Sequence, residues 1–445
     1  MEKYKRKISL FLQDSDNSYL LKNSSVTFII RVSGSMFNFL FSYLIAKKFG
    51  ADGVGSFSFV VAFLFVLGFI AKGGLDTAAL KFISKQIALD NYNYSIAYFF
   101  RIIKIFLVFS FSVSLLFLIS SDTVINTFSA KTNLSQEDVL LITFSILPFG
   151  LIYILSETLK AIGKIKEFAF IQQFSIYFFS CLGIVLAHDL LDIRLKPAAI
   201  FCVAIFITSC FGLVLVLKHY KIFSAKNTDT KPAYSEIVNF SLPVLLVNSM
   251  DLISGYTHIF LLSYFLGEAE TGIFSIIQRI AVVSILPLQA INAISAPKFA
   301  EFHAKNKKQA IQEIAGKSIK MILVISIPVF LIMMVFPELI LSFFGEEFIV
   351  GVWALVLVGL GQFINAAMGP VGQILQMTEN EKVLRNIILV STIMNITLGF
   401  VLIPEYGILG AAFAMMSATI FWNVAAFIYL KFKVDINIYY WLFKK

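Results

Sequence analysis

Long apolar runs recur throughout the sequence, and they restrict what the chain can fold into. A transmembrane α-helix needs about 20 apolar residues, and the chain contains twelve runs near this length. Membrane-spanning β-strands would instead be short segments of alternating polarity. Charged residues make up only 14% of the chain, against about 25% in a typical soluble domain. The sequence therefore predicts an all-α polytopic membrane protein. The predicted spans are 25–46, 53–71, 97–120, 139–159, 168–187, 198–217, 238–265, 271–294, 318–344, 350–376, 384–403 and 407–430.

Lysine and arginine are distributed unevenly between alternate loops. If the N-terminus is cytoplasmic, the inner segments contain 27 of the 36 Lys and Arg residues and the outer segments contain 5. This bias is the one that cytoplasmic loops show in membrane proteins, so it predicts twelve spans with both termini in the cytoplasm. The same distribution accounts for the net charge of +9 without nucleic acid as a partner.

The residue types that carry enzyme chemistry are not grouped in recognisable motifs. The three cysteines lie in apolar segments without a CxxC pair, so we expect neither a metal site nor a cofactor. P-loop, nucleophile-elbow and HExxH patterns do not occur. The longest predicted outer loop has 18 residues, which leaves no room for an outer catalytic domain. We therefore expect a protein that is not an enzyme.

The chain contains an internal repeat with an offset of 217 residues. At this offset, Gly50, Gly55 and Ser58 correspond to Gly267, Gly272 and Ser275. Equivalent spans cross the membrane in the same direction, which predicts two six-helix bundles related by a parallel pseudo-two-fold axis around a central cavity. The predicted segments are a cytoplasmic N-terminus 1–24, a bundle 25–217, a cytoplasmic linker 218–237, a second bundle 238–430 and a cytoplasmic tail 431–445.

Arg31 is a charged residue inside the first apolar run. Ser35, Asn38 and Ser42 follow at helical spacing, so the four residues share one face of a helix. A charge in the hydrocarbon is costly and usually faces a bundle interior or a water-filled cavity. The stripe therefore predicts that Arg31 and Asn38 face the cavity. The alternative is that Arg31 extends back to the lipid headgroups.

The seventh span carries a second polar stripe. Asn248, Asp251, Gly255 and His258 share one helical face, and the repeat offset places Asn248 opposite Arg31. Asp251 and His258 are therefore candidate ion-coupling groups, since both can exchange a proton and a carboxylate can also hold a cation. The alternatives are an ion pair between Asp251 and Arg31, and a hydrogen-bonding role for His258.

Two further spans add candidate cavity residues. Arg279 lies one to two turns inside the eighth span, where it could contact an anion or extend to the outer interface. The tenth span carries the uncharged stripe Gln362, Asn365, Gly369, Gln373 and Gln376. These amides could bind sugar hydroxyls, or they could join neighbouring helices by hydrogen bonds.

Four charged residues gather at the predicted inner ends of the second and fourth spans. They are Lys72, Asp76, Glu157 and Lys160. They are interpreted either as solvated interface residues or as an inner gate.

Several segments together resemble a known family. They are YLIAKKFGADGVGSFSF at 43–59, KGGLDTAALKFI at 72–83, HIFLLSYFLGEAETGIFSIIQRIA at 258–281 and PEYGILGAAFA at 404–414. They resemble bacterial polysaccharide-biosynthesis membrane proteins of the O-antigen flippase type, within the multidrug/oligosaccharidyl-lipid/polysaccharide exporter superfamily.

The resemblance implies a flippase in the bacterial inner membrane. Its substrate would be a polyprenyl-pyrophosphate-linked oligosaccharide, such as the repeat unit of the O-antigen of lipopolysaccharide, moved from the inner to the outer leaflet with ion coupling. Arg31 and Arg279 stand where members of this family often have cavity arginines. The implied partners are this substrate, membrane lipids and the polysaccharide polymerase and chain-length machinery. The alternative from the same superfamily is an antiporter of drugs or other small molecules.

Overall fold

The structure is a computed structural model of the chain. It describes residues 15–193, 195–219 and 232–439, with the side chains of 15–25, 28, 246–248, 250, 251 and 293 excepted. Throughout these ranges every regular element is helical. Ten helices are long and apolar enough to cross a membrane, which confirms an all-α polytopic membrane protein.

Sixteen α-helices follow one another in these ranges. They are α1 (Ser15–Lys72), α2 (Leu75–Ala88), α3 (Tyr92–Ile119), α4 (Ser121–Phe128), α5 (Gln136–Ala161), α6 (Ile165–Leu190), α7 (Pro197–His219), α8 (Tyr234–Phe265), α9 (Glu268–Val282), α10 (Leu286–Ala304), α11 (Lys308–Val335), α12 (Pro337–Ser342), α13 (Val352–Met368), α14 (Val371–Met377), α15 (Glu381–Tyr406) and α16 (Ile408–Tyr429).

Most predicted spans coincide with these helices, and the differences arise at glycine and proline. The first two spans lie on two helical segments of α1 that meet at Gly50, where φ is 67°, ψ is −167° and the backbone leaves the helical conformation. The predicted ninth span, 318–344, ends early because α11 stops at Val335, two residues before Pro337. The predicted tenth span, 350–376, is interrupted because Gly369 has a φ of 68° and Pro370 follows it. The number twelve stays a prediction.

The chain divides into two compact units. The first comprises the chain up to Leu44 together with Phe63–Ile125 and Leu134–Leu246. The second comprises Ile45–Ala62, Asn126–Asn133 and Val247 onwards. The segment of α1 around Gly50 thus groups with the helices that follow residue 247. The domain boundaries given by the repeat, 25–217 and 238–430, stay a prediction.

In the first unit, α1 packs tightly against α6. Gly34 lies so close that an added Cβ would be 2.2 Å from the carbonyl oxygen of Gln173. Gln173 belongs to a π-helical turn, Phe170–Ser175, within α6. One turn further along α1, Phe37 meets Phe174 and Phe178 edge-on at 5.1 and 5.4 Å between ring centroids. A glycine therefore brings the two backbones together, and aromatic rings fill the space beside it.

In the second unit, two equivalent segments cross at the repeat offset. A Cβ on Gly55 would be 1.8 Å from the Glu268 carbonyl oxygen, and one on Gly272 would be 2.0 Å from that of Ala51. Glu268 is the 217-offset equivalent of Ala51, so the two contacts are reciprocal. Ser58 Oγ donates to the Oγ of its own equivalent, Ser275, at 2.9 Å. We call these residues of α1 and α9 the symmetric crossing, and they confirm the parallel repeat.

The symmetric crossing generates a stability prediction. Gly272→Ala places a methyl group against a backbone carbonyl, so we expect a loss of about 1–3 kcal/mol, the usual cost of overpacking. Gly255→Ala in α8 is the matched control, because nothing lies within 4 Å of its added Cβ. The control is expected to be neutral or to stabilise by up to about 1 kcal/mol, since alanine favours helix over glycine. Thermal unfolding of the purified variants in detergent measures both effects. Equal melting temperatures for the two variants would contradict the assigned packing.

Candidate functional site

The polar stripe of α1 lies at one edge of the surface that α1 exposes, and apolar residues form the rest of that surface. Arg31 and Ser35 are exposed, Asn38 is half-buried and Ser42 is buried. At about 100° per residue, the exposed Ile29, Met36 and Leu40 lie about 140–180° from Arg31, and the exposed Val32 lies about 100° from it. The exposed apolar side chains are suited to contact with lipid. The stripe therefore offers its polar groups in another direction, which is the arrangement expected of a cavity lining.

Gln173 borders this stripe and was not predicted from the sequence. Its carbonyl contacts Gly34, one turn along α1 from Arg31 and Asn38, and its amide side chain is half-buried. The π-helical turn that contains it adds one residue to the helical turn and is a feature frequent at functional sites. The adjacent glutamines at 172 and 173 in an apolar span were the available signal.

Lys72 and Asp76 form a buried ion pair at the junction of α1 and α2. Their side chains are only 5% and 11% exposed. The Lys72 ammonium also lies over the rings of Phe69 and Tyr153, at 4.1 and 4.6 Å from their centroids. Asp76 Oδ1 is buried without a hydrogen-bond partner. Solvation at the interface is therefore the wrong interpretation for this pair, because the surrounding helices remove both side chains from water.

Glu157 and Lys160 form a second, more exposed pair on α5. Their side chains are 13% and 39% exposed and lie 3.1 Å apart. Tyr153, over which the Lys72 ammonium lies, precedes Glu157 by one helical turn. The Lys72–Asp76 pair therefore contacts α5 one turn before the position of the Glu157–Lys160 pair. Their role as an inner gate stays a prediction.

His258 is fully buried in the second unit and is hydrogen-bonded. Its Nε2 is 2.9 Å from Asn395 Oδ1. The Asn395 amide donates to Ser254 O and Oγ, each at 3.4 Å, which leaves Oδ1 to accept from the histidine. His258 Nδ1 is buried without a partner and faces Gly399. The interpretation of His258 as a hydrogen-bonding group thus has a defined partner on α15, and its ion-coupling role stays a prediction.

Asn395 and Ser254 were missed by sequence reasoning. Asn395 is 3% exposed in the otherwise apolar middle of α15. A single amide in an apolar span is a signal for interhelical hydrogen bonding. The sequence does not identify its partner, because contact between α8 and α15 depends on tertiary packing.

Arg279 lies in the second unit, on α9. Its side chain is half-buried, and its guanidinium lies 5.8 Å from the ring centroid of Phe57 within the same unit. A cation at this distance from an aromatic face is attracted to it and held in one orientation. Arg279 and Arg31 belong to different units.

The amides of the predicted tenth span do not form one continuous helical stripe. Asn365 Nδ2 donates to Gln362 Oε1 at 3.3 Å on α13, and Asn365 Oδ1 is buried without a partner. Gln373 is half-buried on α14, beyond the break at Gly369. The prediction of a single stripe is wrong because the positive φ of Gly369 ends α13.

Two predicted residues lie outside the described side chains. They are Asn248 and Asp251, whose backbones belong to α8. Among the described residues, no group of three or more His, Cys, Asp or Glu side chains is arranged to hold a metal ion.

Two family models match the chain. The model described as Polysaccharide biosynthesis protein matches residues 20–303, and the model described as MatE matches residues 243–401. Among curated proteins, the probable low-salt glycan biosynthesis flippase Agl15 of the archaeon Haloferax volcanii is 23% identical over 400 residues. The match covers 89% of this chain and 80% of Agl15.

Solved structures of transporters share the fold. An inward-facing multidrug resistance MATE family transporter of the MOP superfamily has a TM-score of 0.74 at 15% identity, and the match covers 92% of this chain and 98% of that one. The lipid II flippase MurJ in an inward closed conformation has a TM-score of 0.74 at 16% identity, covering 92% and 87%. These likenesses show that the chain has the fold of these transporters. Since the Polysaccharide biosynthesis protein model spans more than half of the sequence, this protein belongs to the polysaccharide biosynthesis protein family.

Proposed function

We propose that the protein flips a polyprenyl-pyrophosphate-linked oligosaccharide from the inner to the outer leaflet of a bacterial inner membrane. The observation that carries the proposal is Arg31, an exposed arginine on the polar side of an otherwise apolar membrane helix, in a member of a polysaccharide biosynthesis family. The name of the curated relative, a glycan biosynthesis flippase, supports the same substrate class.

The substrate's chemistry explains why such a protein needs cavity arginines. A pyrophosphate-linked sugar head is anionic and polar, and it cannot cross hydrocarbon unaided. A guanidinium offers two parallel N–H donors to phosphate oxygens, which a lysine cannot do. Arg31 and Arg279 are the proposed anion contacts. Asn38, Asn248, Gln362, Asn365 and Gln373 are the proposed contacts to sugar hydroxyls.

Alternating access supplies the proposed transport cycle, with ion coupling through Asp251 or His258. The termini would be cytoplasmic, as the loop charges predict. The polysaccharide polymerase and chain-length machinery would receive the flipped product. The protein would bind and move its substrate without covalent chemistry.

A drug antiporter is the second candidate, because the MatE family model matches residues 243–401. Such a transporter would not need two phosphate-binding arginines. The arginine variants below therefore distinguish the two functions.

Removing either arginine is expected to impair glycan export. In a deletion strain, Arg31→Ala or Arg279→Ala should lower surface glycan by roughly tenfold to a hundredfold, since a charge-assisted hydrogen bond contributes about 1.5–3 kcal/mol. Lipid-linked repeat unit should accumulate in the inner leaflet. Lys104→Ala is the matched control, because Lys104 is an exposed cation on α3 with no assigned role. Wild-type glycan display by both arginine variants, together with altered drug resistance of the deletion strain itself, would support the antiporter instead.

The symmetric crossing gives a test of alternating access. We expect that Ser58→Cys with Ser275→Cys, in a background without Cys181, Cys202 and Cys210, forms a disulfide on oxidation, since the two Oγ atoms are 2.9 Å apart. If the predicted bundles 25–217 and 238–430 separate at this crossing during transport, the bond would hold α1 and α9 together and stop export, and a reductant would restore it. Each single cysteine variant is the control. Full export by the cross-linked protein would show that the crossing does not open during transport.

Variants of the buried Lys72–Asp76 pair test whether it acts as an inner gate. Removing one partner leaves an uncompensated buried charge, so Lys72→Ala should destabilise the protein by about 3–5 kcal/mol. Lys72→Met with Asp76→Leu removes both charges and should fold. If the pair is a gate, this folded double variant loses export. Normal glycan display by the double variant would show that the pair is structural only.

A further inference from the structure

An open groove runs along the surface of the first unit between α5 and α7. It has a volume of about 680 Å³. Apolar side chains form its walls, and the most exposed of them are Phe144 at 76%, Phe206 at 61% and Val203 at 57%. The functional site already described uses none of these residues.

The groove has one charged end. Lys196 Nζ donates to Asp138 Oδ1 at 3.1 Å and to Ser135 Oγ at 3.2 Å. Asp138 is 2% exposed, and its carboxylate also accepts hydrogen bonds from Ser135 in the capping box that begins α5. Glu137 lies 3.8 Å from the same ammonium and is 82% exposed. The end of the groove therefore presents a half-exposed cation beside an exposed carboxylate that the buried pair does not neutralise.

The length of the groove corresponds to one leaflet. Along α5 it extends from Glu137 to Pro148, eleven residues further on, which is about 16 Å of helix. Half of the hydrocarbon core is about 15 Å thick. The charged end lies at the side that the loop charges predict to be outer. A lipid of the outer leaflet would thus place its headgroup at Lys196 and its acyl chain along the groove.

We propose that this groove binds one zwitterionic aminophospholipid, with its phosphate at Lys196, its ammonium at Glu137 and an acyl chain against Phe144 and Phe206. Charge complementarity selects the headgroup. The three charged residues together are net negative, which favours a headgroup with an ammonium over an anionic one. The groove is independent of the proposed glycan substrate, and either proposal can fail alone.

A second groove provides an internal comparison. It is about 400 Å³ in volume, is lined by side chains of α16 and includes Ala425, but no charged residue contributes to it. An acyl chain could lie there, but no headgroup would be selected. Ala199 in the first groove and Ala425 in the second are both half-buried, so they allow matched groove-filling variants.

Native mass spectrometry of the delipidated protein, titrated with phosphatidylethanolamine or phosphatidylglycerol, tests the proposal. We expect one phosphatidylethanolamine to be retained in preference to phosphatidylglycerol. Glu137→Gln should lower the affinity for phosphatidylethanolamine by about two- to fivefold, as for an exposed charge contact. The affinity for phosphatidylglycerol should not fall. Ala199→Trp should abolish the retained lipid, and Ala425→Trp should keep it. Size-exclusion profiles and melting temperatures verify that each variant is folded.

Three outcomes would overturn the proposal. The first is preference for phosphatidylglycerol in the parent protein, which would make Lys196 an anion site. The second is retention of phosphatidylethanolamine by a folded Ala199→Trp variant. The third is displacement of phosphatidylethanolamine by polyprenyl phosphate, which would assign the groove to the tail of the transported lipid.

Discussion

Direct backbone contact between two equivalent segments underlies the architecture of the second unit. At Gly55 and Gly272 the approach is so close that no side chain fits, and the hydrogen bond between Ser58 and Ser275 joins the two copies of one position. In a bilayer, helices gain little from burying apolar surface, because lipid is as apolar as they are. Small residues compensate by allowing van der Waals contact along the backbones. The same solution recurs in the first unit, where Gly34 meets α6.

The polar groups within the membrane helices fall into two kinds. Lys72 with Asp76, and His258 with Asn395 and Ser254, are buried and satisfy one another in large part. Such groups specify which helices pack together, since an unpaired polar group in hydrocarbon is costly. Arg31 differs, because it is exposed and lies opposite the apolar side of its helix. That difference is what separates a candidate binding group from a structural one.

The sequence was sufficient for the fold class, for most helix positions and for the repeat, because these depend on apolar length and on glycine positions that local rules describe. Prediction from the sequence failed where it depended on which helices contact each other. The partner of His258 lies 137 residues away, so periodicity within one span cannot identify it. Lys72 and Asp76 resembled interface residues because their burial comes from α5 and the aromatic rings around them. The amide stripe of the tenth span looked continuous because an ideal helix was assumed across Gly369 and Pro370.

The reciprocal contact at Gly55 and Gly272 is of the isologous kind that joins identical subunits in a symmetric homodimer. Here one chain supplies both surfaces, so the two copies are free to change separately. At the crossing, Gly55 and Ser58 have the same residue types as their equivalents Gly272 and Ser275, whereas Ala51 is replaced by Glu268. At the polar stripe they have diverged, since the 217-offset equivalent of Arg31 is Asn248. Symmetric packing at the crossing therefore coexists with different residues at the polar stripe, an arginine in one repeat and an asparagine in the other.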